Sequence, residues 1–225
     1  MECSISEEIF KIAQSNPSKH KNMGGYHRVL SPTWIEIAHY LPSKLGKTLD
    51  IGCAYGTYTA FLARYASKVL ACDVNEKTTK GMADVEWFNK QGIKFNFWNP
   101  ETQICLPHYQ DFDSIFMIEV IEHFSYSPVI PMQRVASALG KGGRLYLSTP
   151  TASTQNVDAC TGRYCFYAHW RDIPEPWNGY QFEDAHHHIY SAQTLGQLIE
   201  ECGLKVVSLM SISKSQHLLL IAEKE

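Results

Sequence analysis

Residues 47–62 read KTLDIGCAYGTYTAFL. Positions 48–51 form a short apolar run broken by one acid, Asp50, and have the length of a buried strand. Gly52 and Gly56 bracket a turn, and a helix is predicted over about 56–66. Glycine has no Cβ, so its backbone can approach a bound group closely. A helix that opens at such a turn presents unpaired N–H groups and a positive dipole end. The spacing is G-x-x-x-G with Tyr55 inside it, not G-x-G-x-x-G, and no Lys-Ser/Thr pair follows. A pyrophosphate is therefore disfavoured.

Working outward, the pattern alternates strands and helices. Helices are predicted over 4–15 and 31–40, the second with Ser31 as N-cap and Pro32 in its first turn. An apolar run over 68–72 closes on Asp73, and a helix is predicted over 76–90. Strands follow at 93–98 and 112–118, then a helix at 128–139, ended by Gly140, Gly142 and Gly143. The next strand is 144–148. A helix over 191–202 and two strands, 204–212 and 216–223, finish the chain. Their short connection predicts antiparallel pairing. The fold class is α/β: a doubly wound, seven-stranded, Rossmann-like sheet with the last strand antiparallel. One domain over 1–225 is expected, with an N-terminal helical cap at 1–45. The aperiodic stretch 151–190 is too long for an ordinary connection and is expected to be an inserted lid over the substrate.

Composition narrows the classes. Of 225 residues, 44% are hydrophobic and 19% charged, with a formal net charge of -3. That balance gives no electrostatic footprint for nucleic acid. The densest basic group is Lys19, His20, Lys21, His27 and Arg28. No apolar run reaches the ~18 residues of a membrane span. The seven cysteines form no CxxC pair, and the opening MECSISEEIF has no apolar signal core. The expectation is reduced thiols in a cytoplasmic protein.

Asp73 closes the second strand ~21 residues after Gly52, the offset at which an acid takes ribose hydroxyls. Asp50 can accept hydrogen bonds from the turn or reach a cationic ligand through water. LDIGCAYG (49–56) resembles the first motif of the class I S-adenosylmethionine-dependent methyltransferases, and Asp73 matches the acid of the second. FWNP (97–100) places Asn99 where the family often has an Asp facing adenine. FDSIFMIEVIEHF (112–124) is similar to the family's fourth-strand motif, and YSAQTLGQLIEECG (190–203) to its penultimate helix. The resemblance implies S-adenosyl-L-methionine as cofactor. It implies a cofactor site at Asp50, Gly52, Cys53, Ala54, Gly56, Asp73, Val74, Trp98, Asn99, Ile118 and Glu119. Residues 23–28 are a second lid candidate, and Arg28 is the candidate partner for the cofactor's carboxylate.

Glu119, Glu122 and His123 stand at i, i+3 and i+4, which on a helical turn share one face. Two carboxylates and an imidazole there can hold a divalent metal, with His186 as a fourth ligand. Such Glu-x-x-Glu-His segments carry metal in the small-RNA 2′-O-methyltransferases and the quinone-biosynthesis O-methyltransferases. Metal-free small-molecule members also carry Glu-His here. The candidate bases are His123, His186 and His188. Aromatic residues from Tyr164 to Tyr190 suit a lid over a planar substrate.

The reading that follows is a small-molecule methyltransferase of the Glu-x-x-Glu-His type. It acts on O or N of an aromatic or planar acceptor, needs no membrane and leaves the oligomeric state open. The alternatives are a metal-dependent RNA 2′-O-methyltransferase, which the charge argues against, and a non-catalytic nucleoside-binding subunit.

Overall fold

A computed structural model describes residues 2–18, 23–74, 82, 84–104, 106, 111–151, 186–212 and 216–225. The expected lid at 151–190 falls mostly outside the described residues, as does the start of the helix expected at 76–90.

The elements run α1 (Glu2–Ser15), α2 (Met23–His39), β1 (Gly46–Ile51), α3 (Thr57–Leu62), β2 (Ala66–Asp73), α4 (Val85–Lys90) and β3 (Ile93–Phe97). Then come β4 (Phe112–Ile118), a 3₁₀ turn (Ile121–His123), α5 (Val129–Ala138), β5 (Leu139–Pro150), α6 (Ala192–Glu201), β6 (Lys205–Ile212) and β7 (His217–Glu223). The seven strands form one sheet in the order β3-β2-β1-β4-β5-β7-β6. β7 runs antiparallel to both β5 and β6, and the pairs among β1 to β5 are parallel.

Alternation along the strands explains the two layers. Leu49, Ile115, Met117, Leu145 and Leu147 pack on one face with Met132 and Val135 of α5 and Leu195, Leu198 and Ile199 of α6. Phe116, Ile118, Tyr146 and Leu219 pack on the other with Ile9, Trp34, Ile37, Phe61 and Phe88 from α1 to α4. Both faces are covered, so the parallel strands read as continuous apolar runs.

Helix α3 ends at Leu62 rather than near 66 and β2 begins at Ala66, and two other boundaries differ further from expectation. Helix α2 begins at Met23, which places Ser31 and Pro32 inside it. Pro32 lacks the N–H that would bond the Arg28 carbonyl, and Arg28 is exposed. Packing decides the matter: Tyr26 sets its ring 5.9 Å from Trp34 and 5.0 Å from Tyr55. Tertiary contacts commonly outweigh a local start signal in this way. The second difference is β5, which begins at Leu139 and includes all three glycines. Gly142 donates to Lys224 O and Lys224 donates to Gly143 O, at 2.7 and 3.0 Å, so β5 is tied to the residue just after β7 rather than released into a free turn.

Candidate active site

The turn after β1 is built by its crossings. Gly52 N and Cys53 N both donate to Cys72 O of β2, at 2.8 and 3.1 Å. Gly52 and Gly56 both have φ of 74°, which favours glycine. A Cβ on Gly52 would overlap Val120 Cγ2, and one on Gly56 would overlap the Phe88 ring. Gly56 is therefore a packing glycine. The start of α3 is covered from the N-terminal helices. Asn16 Nδ2 donates to Tyr55 O at 2.8 Å and to Thr57 Oγ1 at 3.0 Å, and His27 Nε2 lies 2.8 Å from Thr57 Oγ1.

Asp73 locks the turn from β2. Its Oδ2 accepts from Ala54 N and its Oδ1 from Val74 N, each at 2.8 Å. Its carboxylate also lines a cavity of about 750 Å³ at the carboxyl edge of the sheet. Asp73→Ala is expected to weaken S-adenosylmethionine binding by ~1–3 kcal/mol in titration calorimetry, through loss of a charge-assisted acceptor. Unchanged affinity would remove Asp73 from the cofactor site.

Asp50 lies beneath the turn, in a small pocket shared with Tyr26, Trp34, Gly52, Cys53, Tyr58 and Ile118. It accepts from Thr59 Oγ1 of α3 at 2.5 Å. Burial pushes its carboxyl up to about 7, and the nearby Asp73 charge adds to the rise while the Thr59 hydrogen bond opposes it. The native chain thus holds a proton that the unfolded chain releases above about pH 4. This contribution to stability is complete at acid pH and is lost as pH climbs to about 7. Urea unfolding should show Asp50→Asn escaping a loss on the order of 1–3 kcal/mol that wild type suffers between about pH 4 and 8. Parallel pH profiles for the two proteins would show that Asp50 does not titrate in this way.

Across the cavity, β4 is followed by Glu119 at φ 57° and then by the 3₁₀ turn. The two carboxylates of the Glu-x-x-Glu-His segment consequently part. Glu119 Oε1 accepts from Ser148 Oγ at 2.5 Å, and its Oε2 lies 2.9 Å from His217 Nε2. Glu122 is fully buried and accepts from Thr149 Oγ1 at 3.0 Å. Burial first, and then the Glu119 charge, push its carboxyl up to about 8, with His123 opposing. Among the described residues its Oε1 has no hydrogen-bond partner. Glu122, His123 and His186 bring one ligand atom each within 4.8 Å of one another. The His123 and His186 rings meet perpendicularly at 4.7 Å, and His187 N donates to Glu122 O at 2.7 Å.

The other expected site residues separate by position. Gly52, Ala54, Asp73, Val74, Trp98, Asn99 and Glu119 line the main cavity, as do Glu122, His123 and His186. Cys53 and Ile118 line only the small pocket with Asp50. Arg28 is exposed on α2 and Gly56 lies in the packing contact with Phe88; neither lines either pocket. Residues 23–28 are the first turns of α2, and Gly25 and Tyr26 there wall the cavity. Asn99 Oδ1 accepts from Glu101 N at 2.9 Å, closing its own turn. His188 is buried away from the cavity, 5.0 Å from Tyr190, and burial pushes its imidazole down to about 3. It lines neither the main cavity nor the small pocket. Glu101 and His217 line the cavity and are missed by the sequence reading. The signal for His217 was its place at the start of the one antiparallel strand, which returns to the carboxyl edge of the sheet.

A profile of methyltransferase domains matches residues 26–209, and the chain belongs to that family, within the class I S-adenosylmethionine-dependent superfamily. The biotin biosynthesis bifunctional protein BioHC of Cellvibrio japonicus is 35% identical over 145 residues, covering 62% of this chain and 27% of that protein. A ubiquinone biosynthesis O-methyltransferase of Parvibaculum lavamentivorans is 30% identical over 101 residues, 45% of this chain and 39% of that one. The chain thus spans well under half the length of these relatives. An S-adenosylmethionine-dependent methyltransferase from Mesorhizobium loti has the same fold, with a TM-score of 0.63 at 17% identity, covering 86% of this chain and 98% of that one. Among the described residues, no helix is long and apolar enough to cross a membrane.

Proposed function

We propose that this chain transfers the methyl group of S-adenosylmethionine to an oxygen or nitrogen of a small aromatic or planar molecule in the cytoplasm. The observation that carries the reading is one continuous cavity lined by Asp73 and Gly52 and also by His123 and His186. Its 750 Å³ falls within the ~300–1,000 Å³ typical of small-ligand sites. Tyr26, Trp98 and Phe124 supply aromatic wall. No Lys or Arg lines it among the described residues, which counts against a nucleic-acid backbone as acceptor.

The residues fit the cofactor. Asp73 is already oriented by two backbone donors, and its carboxylate on the cavity wall is the acceptor for the ribose hydroxyls in this reading. The bound cofactor supplies an electrophilic methyl group. The protein then has to align the acceptor and remove its proton. His123, on the cavity wall next to Glu122, is the base in this reading, and the two side chains favour each other's charged forms.

A second reading is favoured by the meeting of Glu122, His123 and His186. The Glu122 Oε1, without a hydrogen-bond partner among the described residues, fits a divalent ion, which would be held by these three residues and would acidify an acceptor hydroxyl. Glu119, engaged with Ser148 and His217, is not in that set.

Incubating the chain with methyl-labelled cofactor and panels of phenols, catechols and small amines tests the proposal. Label should pass to at least one planar acceptor. Cofactor binding with no transfer to any class would favour a non-catalytic nucleoside-binding role.

A further inference from the structure

The carboxylates on the cavity wall are held in different ways. Asp73 accepts from Ala54 N, Val74 N and the Cys53 thiol, and Glu101 from Ser125 N and Tyr126 N at 2.8 and 3.1 Å. Glu119 is held by side chains from two other strands. Ser148 of β5 donates to one oxygen and His217 of β7 to the other. A carboxylate can only accept, so His217 Nε2 carries the proton of that bond. His217 Nδ1 faces Thr33 Oγ1 of α2 at 3.4 Å, and Thr33 is fully buried. Two strands therefore converge on one acidic side chain, with α2 backing His217 through Thr33, and that acid stands in a left-handed backbone position that non-glycine residues seldom adopt.

The pair belongs to the cavity. Both Glu119 and His217 line it, with side chains only 11% and 12% exposed respectively. Along the carboxyl edge the strands run β2, β1, β4. At ~4.8 Å per strand, Glu119 stands ~10 Å from Asp73 on the same edge. A cofactor whose ribose lies on Asp73 extends its amino-acid end in one direction along that edge. The first carboxylate it meets beyond Gly52 is Glu119, and an ammonium group is the natural partner of a fixed carboxylate.

We infer that His217 is a positioning residue for the cofactor: its Nε2–H fixes the Glu119 carboxylate on the cavity wall, where it takes the ammonium of the cofactor's amino-acid end. The same bond keeps Glu119 apart from Glu122, His123 and His186. The inference rests on the cofactor reading proposed above.

Calorimetry with two ligands separates the cases. S-adenosylmethionine carries the amino-acid end; 5′-methylthioadenosine lacks it and keeps the nucleoside. His217→Leu should weaken the first by about tenfold, the scale of one hydrogen bond to a charged group, and leave the second unchanged. His217→Gln, whose amide N–H can stand in for Nε2–H, should restore most of the lost affinity. Glu119→Gln, which keeps shape without charge, should repeat the selective loss and serves if the leucine variant does not fold. The inference is overturned if the leucine variant binds both ligands as wild type does, or loses both equally. Wild-type protein that binds neither ligand overturns the cofactor reading itself, and this inference with it.

Discussion

Gly52→Val is expected to abolish cofactor binding in a chain that still folds. The position has φ 74°, where a β-branched residue is a steric outlier. Strain of this kind costs ~1–3 kcal/mol, which a domain of this size can absorb. The ligand site cannot. A Cβ would overlap Val120 Cγ2, so the obstacle is the wall across from the turn and not the ligand space. Relief requires the turn or the 119–123 segment to move, and both line the cavity. Moving the turn also lengthens the 2.8 Å bond from Gly52 N to Cys72 O. Affinity should fall by more than ~100-fold, about 2.7 kcal/mol. Circular dichroism checks the fold and calorimetry the affinity. A native spectrum with normal binding would place the cofactor elsewhere.

His123→Ala should lower turnover by ~10²–10⁴, the range for removal of a general base, with cofactor affinity unchanged. His123 lines the cavity and sits on the 3₁₀ turn, at 4.7 Å from the His186 ring. If it acts unaided, a chelator leaves the wild-type rate intact, and Glu122→Gln has a smaller effect that operates through His123. If it holds a divalent ion, a chelator removes activity and the ion restores it. Glu122→Gln and His123→Ala then both lose metal by elemental analysis, since each removes a ligand. Turnover by His123→Ala at the wild-type rate would make the residue structural.

The sheet was legible because its strands are short apolar runs separated by helical periods, and Gly52, Asp73 and the 119–123 part of the 112–124 motif pointed to the edge where the main cavity lies. Three features were hidden for physical reasons. Gly56 depends on Phe88, 32 positions later in sequence, and only the folded chain brings them together. Residues 119–123 match helical spacing, but Glu119 is left-handed and a 3₁₀ turn follows, so its carboxylate turns to Ser148 and His217. His217 has no motif around it; its role comes from the register that pairs it with Pro150 at the end of β5. The start of α2 was misplaced because Ser-Pro at 31–32 is a strong local signal, while aromatic packing around Tyr26 acts over a long range.

The central claim is that the cofactor lies along the carboxyl edge of the sheet, from Asp73 toward Glu119. A crystal structure of the chain with S-adenosylhomocysteine tests it most directly. The expected density has ribose hydroxyls on the Asp73 carboxylate, the nucleoside beside Trp98 and Asn99, and the amino-acid end beyond Gly52 with its ammonium at Glu119. Density for the ligand outside this cavity, or a ribose that does not touch Asp73, would contradict the account.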